Sequence, residues 1–594
     1  LQVFGRLKHG VGFAAARTDL ATVSDRLLHA FPESRPKAGF LLKPISLREE
    51  MTRQARPTFL ILLATVGLVL LLACANVANL SLARLTRRER ELALRSALGA
   101  DRRRLARQLL TESTVLGLAG GALGLLLARS GLHLLVSFAS RFTPRAAEIH
   151  MDAPVLVFTL LVSLGTGVAL GLLPAVSRRK DLAAALHEGG ERSTSGLGRH
   201  RVRDVLIVSQ VAISFVLLIG AGLMVRTLWN LQQVDPGFQT ERVLTSRTAL
   251  NFTKYDTPEK RLAFVEQLLQ RMRNEQGVVS VAMAGTFPLN DTTGAGSLSG
   301  QYQIEGLPPL SNPDLLPTAD FQQVSLDYFR TIQIPLQRGR EFESNDRRGN
   351  PPVALINRAM ADHHWKNGNP VGHRISFDQG KTWVAIVGIV GDVRQYGLAA
   401  APSDQVYLSL HQYPTLSSTL LVRTVANPMS ISKVVSETVH GMDPEQPVDH
   451  FRTLEQARSN DLASPRLTAT LLGLFALLAM AITATGIMGV LAFSVSQRFH
   501  EFGIRMALGA EPGSVLRMVV RQGMTLVGIG LAIGLAAALL FARLLSGLLF
   551  GVGPTDPLTF AAVAVVLSAV AATACFLPAR RATAADPMHA LRSS

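Results

Sequence analysis

The chain has 594 residues, of which 48% are hydrophobic and only 17% charged. Soluble domains average about 25% charged residues, so the shortfall points away from a soluble protein and toward a membrane one. The formal net charge is +17, but much of the arginine sits in short segments beside apolar runs, which the positive-inside rule explains without invoking nucleic acid.

The two cysteines, Cys74 and Cys575, both lie within apolar runs. No disulfide framework is therefore available to the large polar stretch of the chain. The length exceeds that of one ordinary domain. Residue 1 is Leu, and the first apolar run begins near Phe59. No signal peptide is read before it, and the chain is expected to be a fragment lacking its N-terminal part.

Residues 1–57 are mixed in character and read as the C-terminal remnant of an earlier soluble domain. Leu1–Gly5 is a candidate strand. Val11–Ala30 has helical spacing, with Phe13, Leu20, Val23 and Leu27 on one face. Phe59–Ala83 exceeds the roughly 20 apolar residues of a bilayer crossing. Asn76 and Asn79 interrupt it near its end, either as contacts to neighbouring helices or as part of a substrate path.

The segment from Arg84 to Arg107 is dense in arginine and is expected on the cytoplasmic side. A second span covers Leu109–Phe138. Its glycines at 117 and 121, and at 120 and 124, are four apart and allow close helix approach. A third covers Pro154–Val176. Residues 58–180 thus form a first transmembrane set. Residues 181–201, polar and rich in Gly and Ser, read as a cytoplasmic linker. Residues 202–228 form a span running outward, with Trp229 at its far boundary.

Residues 229–464 are soluble in character and long enough for their own core. Thr257-Pro258 opens a helix, with Thr as N-cap and Pro in the first turn. Leu262, Val265, Leu269 and Met272 form its expected buried face. Strands are predicted at Val278–Ala284, Val353–Ile356, Trp383–Val390 and Thr419–Thr424, and a second helix at Ser430–His440. The alternation indicates an α+β domain, extracytoplasmic by span parity. Residues 465–594 hold a second set of spans, Leu467–Val495, Val519–Phe550 and Leu558–Leu577. The fold class is membrane α-helical, about seven spans in two sets, with one extracytoplasmic α+β domain.

The two sets are copies. Glu91–Ala100 (ELALRSALGA) returns as Glu501–Ala510 (EFGIRMALGA), 410 residues on. Asp152-Ala-Pro returns as Asp556-Pro, and Leu173-Pro174-Ala175 as Leu577-Pro578-Ala579. This is a tandem fusion with both halves in one orientation. In the repeated segment, Glu91 and Arg95 are four apart and can pair on one helix face, and Gly99 fits a helix C-terminus. Leu92 and Leu98 are then available to a partner's groove. The segment reads as a docking helix rather than a bare topological anchor.

Other fragments imitate catalytic motifs without completing them. Gly380-Lys381-Thr382 resembles the end of a phosphate loop, but Ile375 stands where Gly is required. Leu298-Ser299-Gly300-Gln301 resembles a transporter-ATPase signature and lacks one Gly. His363-His364 has no accompanying Cys or His cluster and reads as a surface pair. Arg129 and Arg543, near the outer ends of corresponding spans, read as headgroup-directed side chains, the alternative being contact with a substrate or an opposing helix.

The segment Ile504-Arg505-Met506-Ala507-Leu508-Gly509-Ala510, two spans, then Leu577-Pro578-Ala579-Arg580-Arg581-Ala582 and Asp586-Pro587-Met588, resembles the FtsX-like permease domain. Gln210–Leu228 and Val387–Asp392 (VGIVGD) resemble the MacB-like periplasmic core domain. The tandem arrangement is similar to the duplicated orphan permeases of that family. The resemblance implies an ABC-type permease in a bacterial inner membrane, with no ATPase of its own and no cofactor. ATP would be bound by a separate ABC ATPase dimer on the cytoplasmic face. Glu91, Arg95, Gly99, Glu501, Arg505 and Gly509 would lie in the helices that meet it.

On this reading the work is mechanotransmission to the extracytoplasmic side, exporting a hydrophobic compound, peptide or lipoprotein. The alternative is an FtsX-like regulatory protein that activates an external partner such as a cell-wall hydrolase. Membrane lipid and a periplasmic partner are the remaining expected contacts, and nucleic acid is not among them.

Overall fold

The computed structural model describes residues 5–30, 42, 44–47, 49, 56–87, 102–139, 150–185, 195–289, 298–306, 316–366, 368–378, 380–498, 502, 504–505 and 511–583. The chain divides into two compact units. One comprises Leu1–Thr52 and Leu231–Ser464; the other comprises Arg53–Asn230 and Pro465–Ser594.

The first helices are α1 (Phe13–Ala30), α2 (Arg56–Arg87), α3 (Arg102–Ala139), α4 (Ala153–Ala185) and α5 (Ser195–Gln233). Next come α6 (Pro258–Arg273), α7 (Tyr328–Ile332), α8 (Arg358–Trp365), α9 (Ser432–Met442) and α10 (Leu454–Asp461). The last are α11 (Ala463–Gln497), α12 (Pro512–Leu545) and α13 (Pro557–Thr583). The expected strand at 1–5 lies almost wholly outside the described residues. Helix α4 continues to Ala185 and α5 begins at Ser195, so helix enters the expected linker 181–201 from both sides.

Among the described residues the sheet-bearing unit holds twelve strands: β1 (Val243–Ala249), β2 (Val278–Ala284), β3 (Leu298–Gln301), β4 (Gln303–Ile304), β5 (Thr318–Val324) and β6 (Leu336–Gly339), then β7 (Val353–Asn357), β8 (Arg374–Ser376), β9 (Val384–Val390), β10 (Gln405–Ser409), β11 (Ser417–Thr424) and β12 (Val448–Thr453). Their order is β12-β1-β11-β2-β5-β10-β7-β9-β8-β4, with β3 added on β5 and β6 on β9. Among the described residues only β5–β10 and β7–β9 pair in parallel.

Two apolar cores serve this sheet. In one, Leu268 and Met272 of α6 and Val435 and Val439 of α9 pack on Val281, Leu420 and Val422. In the other, Met360 of α8 packs with Ile356, Ile386 and Val406. Each such fully buried side chain is worth roughly 1.5–3 kcal/mol relative to exposure.

Local signals fix where these helices start. Thr257 accepts from Lys260 N at 3.4 Å, with Pro258 in the first turn of α6. Asn357 ends β7 and caps α8 by accepting from Met360 N at 3.1 Å. Thr453 and Gln456 form a reciprocal capping box at α10.

Arg423 of β11 is 9% exposed. It donates to three carbonyls, Thr331 O at 2.7 Å, Glu241 O at 3.0 Å and Gln239 O at 3.3 Å. Arg423→Leu strands the buried Thr331 carbonyl and removes the donor from the two part-buried ones. We expect it to destabilise this unit by about 2–4 kcal/mol, at roughly 1–3 kcal/mol for a stranded buried group, read as a lowered denaturation midpoint.

In the helical unit, six helices among the described residues are long and apolar enough to cross a membrane, and Ala153–Val168 of α4 is a shorter apolar stretch. Helix α5 is the enclosed one, with 61% of its apolar window buried against 0% for α3. Its Ile207, Val211, Phe215, Ile219 and Leu223 form one core with Ile487 and Leu491 of α11, Val519 and Val527 of α12 and Leu567 and Ala571 of α13.

Small residues let these helices meet. A Cβ on Gly530 would lie 2.7 Å from Val211 Cβ, and one on Gly534 would lie 3.1 Å from Ala212 Cα. On α3, Gly117 is pressed against Ser163 and Gly167 of α4. Gly120 and Gly124 occupy the repeat positions of Gly530 and Gly534, yet meet nothing within 4 Å.

Candidate functional site

The second copy of the repeated segment can be followed at three positions. Helix α11 ends at Gln497, and beyond it Phe502 N donates to Arg498 O at 2.9 Å. Phe502 is 3% exposed and belongs to the core of Leu491, Val495, Val515 and Val519. Ile504 is 41% exposed. Arg505 is exposed and donates to Met518 Sδ at 3.5 Å.

Glu91, Arg95, Gly99, Glu501 and Gly509 lie outside the described residues, as do Leu92 and Leu98. Phe502 holds the repeat position of Leu92. An apolar residue there was expected to serve a partner's groove; in the second copy it is spent on the unit's own core, and Ile504 is the apolar side chain left outward. Amphipathic spacing shows that a face is apolar but does not say whose core it enters.

At the other end of the helical unit, Asp556 precedes α13 and accepts from Thr559 N at 2.9 Å and Thr559 Oγ1 at 2.6 Å. It also pairs with Arg226 of α5. Burial opposes ionisation of Asp556, but Thr559 and Arg226 outweigh it and hold the carboxyl below its usual range. The repeat position, Asp152, accepts from Val155 N at 3.3 Å ahead of α4. Asn230 donates to Gly551 O at 3.0 Å, tying the end of α5 to the same loop. Arg129 and Arg543 are exposed, as headgroup-directed side chains would be.

In the sheet-bearing unit the sequence missed a cluster around Asp404. His363 Nδ1 lies 2.6 Å from Asp404 Oδ1, and His364 Nε2 lies 3.3 Å from Oδ2. The Tyr302 hydroxyl donates to Oδ2 at 3.1 Å and lies 2.6 Å from His364 Nε2. His363 is a surface residue, with 61% of its side chain exposed, but His364 is largely covered at 23%. Among the described residues no group of three or more His, Cys, Asp or Glu is placed to hold a metal.

Burial alone would raise the Asp404 carboxyl; hydrogen bonds from His364, His363 and Tyr302 outweigh it and hold it below its ordinary range. Its stabilising share is therefore full above the unfolded carboxylate value of about 3.9 and is lost as pH falls through the lower folded value. Asp404→Asn should cost roughly 1.5–3 kcal/mol at neutral pH and flatten the acid-side decline. Denaturant titrations of both proteins from neutral to acid pH read this directly.

The phosphate-loop imitation is a turn. Asp378 accepts from Ser376 Oγ and Thr382 N, both at 2.8 Å, and Gly380 N donates to Ser376 Oγ at 2.9 Å. The Gly380 and Thr382 amides are thus consumed within the turn. Leu298–Gln301 is strand β3, paired with β5.

Two family models match the chain. The FtsX-like permease C-terminal model matches residues 63–181 and again 473–587, and the MacB-like periplasmic core domain model matches residues 205–440. The chain belongs to the MacB/FtsX-like ABC transporter permease family. It is a multi-pass inner-membrane protein with a large extracytoplasmic domain.

Among this permease's relatives are three macrolide export ATP-binding/permease proteins MacB. That of Mannheimia succiniciproducens is 24% identical over 440 residues, covering 68% of this chain and 61% of that protein. That of Neisseria gonorrhoeae is 27% identical over 302 residues, covering 47% and 44%. That of Rhodopseudomonas palustris is 27% identical over 325 residues, covering 50% and 48%. The permease thus spans about half of the length of most curated relatives it matches.

Among solved structures, the periplasmic region of MacB from Actinobacillus actinomycetemcomitans aligns at 14% identity and TM-score 0.26, covering 39% of this chain and 96% of that one. The extracellular domain of the transporter YknZ from Gram-positive bacteria aligns at 14% identity and TM-score 0.23, covering 35% and 100%. The assignment rests on the family models and the sequence relatives.

Proposed function

We propose that this permease is the membrane subunit of an ABC-type transport system driven by a separate ATPase dimer. The dimer engages the two inner-face copies of the repeated segment, through Glu91, Arg95 and Gly99 and through Glu501, Arg505 and Gly509. ATP is bound and hydrolysed in that partner, and the permease carries no cofactor of its own. Nucleotide-driven closure moves the spans and, with them, the extracytoplasmic domain. The work exports a hydrophobic compound, peptide or lipoprotein. The relatives' names, which join ATP binding, permease and macrolide export, support this reading.

The observation that carries it is the division of labour at the second copy. Phe502 is rooted in the helical core, while Ile504 and Arg505, the latter donating to Met518 Sδ, are exposed at its surface. A side chain rooted in packed helices transmits force; an outward arginine beside an outward isoleucine is what a partner surface can grip. The test is purification in mild detergent with a co-expressed ABC ATPase. Co-elution and stimulated ATP hydrolysis are expected, both lost in Glu501→Lys. ATP hydrolysis by the isolated permease, or co-elution untouched by that variant, would overturn the reading.

A further inference from the structure

The helical unit contains polar side chains that none of these assignments uses. Asn79 of α2 is 2% exposed and Gln210 of α5 is 0% exposed. The amide nitrogen and oxygen of both find no protein partner among the described residues. They gather where α11 has no side chain. A Cβ built on Gly486 would lie 2.6 Å from Gln210 Oε1 and 3.0 Å from Asn76 Oδ1. A small pocket opens there, lined by Asn76, Asn79, Arg203, Gly486 and Phe493. The Arg203 guanidinium stands 4.2 Å over the Phe493 ring at its edge.

One turn farther along α5 the same seam is saturated. Ser214 and Thr483 hydroxyls lie 2.6 Å apart, with Ala479 O 3.2 Å from Ser214 Oγ and Gln210 O 3.4 Å from Thr483 Oγ1, so each hydroxyl proton has an acceptor across the seam. The contrast is informative. Where hydroxyls reach across, the helices pair directly; where carboxamides face Gly486, space is left beside them.

In a hydrocarbon surround no bulk water offers itself, and unmet carboxamides are costly. The pocket's space for a water centre is ≈ 10 Å³, about that of a single molecule. A water accepts two and donates two hydrogen bonds, so it can serve amide nitrogens and amide oxygens together, which a cation beside Arg203 could not.

We propose that the junction of Asn76, Asn79, Gln210 and Gly486 is an internal hydration site, where a water bridges the carboxamides of α2 and α5 against α11. The site joins the first helical set to the second.

The test is radiolytic hydroxyl-radical footprinting of the full chain in lipid nanodiscs, with rapid mixing into ¹⁸O-labelled water. Held water oxidises the side chains beside it and exchanges more slowly than bulk. Phe493 and Val490 are expected to be oxidised with slow isotope uptake, while Phe215, packed dry among α5, α12 and α13, is not. The pair Asn79→Leu with Gln210→Leu should reduce oxidation at Phe493 several-fold. Asn79→Ser, small and polar, should retain it and guards against a fold that merely fails. Oxidation no higher than at Phe215, uptake as fast as bulk, or oxidation unchanged by the leucine pair would overturn the proposal.

Discussion

Gly534→Leu is expected to prevent assembly of the second helical set, while Gly124→Ala at the repeat position leaves the protein folded and slightly stabilised. The two glycines share a sequence context and differ in what they face. A Cβ on Gly534 would lie 3.0 Å from Phe215 Cβ, 3.1 Å from Ala212 Cα and 3.2 Å from Ala212 O. Two of those three atoms are backbone, so relief requires helix α5 itself to move. Helix α5 is also central to a core shared with three other helices, so moving it disturbs contacts to α11, α12 and α13 at once.

Alanine at Gly530 or Gly534 should already cost about 1–3 kcal/mol through overpacking, and leucine substantially more. Gly120 and Gly124 have nothing within 4 Å. Alanine there only removes backbone freedom from the unfolded chain, a gain of roughly 0.5–1 kcal/mol. Thermal unfolding of the purified variants should shift in opposite directions. A fall at Gly124→Ala comparable to that at Gly534→Ala would show that both glycines are packed and that the difference between the repeats is not real.

That asymmetry marks how far a sequence can be read. The spacing of glycines four apart was visible in both spans, and so was the chance of close approach. Which of them would be used depends on where another helix lies, and that is a tertiary fact. Local chemistry was more legible. The Thr257-Pro258 start of α6 and strand β2 at Val278–Ala284 stand where the residues place them, because cap and turn signals act within four residues.

Strands β3 and β4 fall in a Gly-, Pro- and Ser-rich stretch, 285–317, whose composition carries no strand pattern. They are four and two residues long and exist through pairing with β5 and β8. The Asp404 cluster joins residues 40, 41 and 102 positions apart, which no local pattern announces. Gln210 did leave a signal, a lone carboxamide in an apolar span, and such residues are rarely idle.

Phe502→Ala and Arg505→Glu should separate anchorage from docking. Phe502 is 3% exposed in a core shared with Val495, Val515 and Val519. Truncating a buried Phe typically costs about 3–5 kcal/mol, so Phe502→Ala should lower the thermal midpoint of the isolated permease. Arg505 is exposed, and exposed substitutions usually stay within about 0.5 kcal/mol. Arg505→Glu should therefore leave that midpoint unchanged. Yet it reverses a charge on the surface proposed above to meet the ATPase.

In the assembled system Arg505→Glu is expected to reduce permease-stimulated ATP hydrolysis at least about tenfold, the equivalent of ~1.4 kcal/mol of lost coupling. The isolated ATPase should be unaffected. Phe502→Ala should also reduce stimulation, but in step with its loss of folded protein. The pair therefore distinguishes a lever from a mere surface. If Arg505→Glu lowers the midpoint as much as Phe502→Ala does, the arginine is a structural member of the bundle. If it changes neither midpoint nor stimulation, the segment does not meet the motor, and force enters the membrane domain elsewhere.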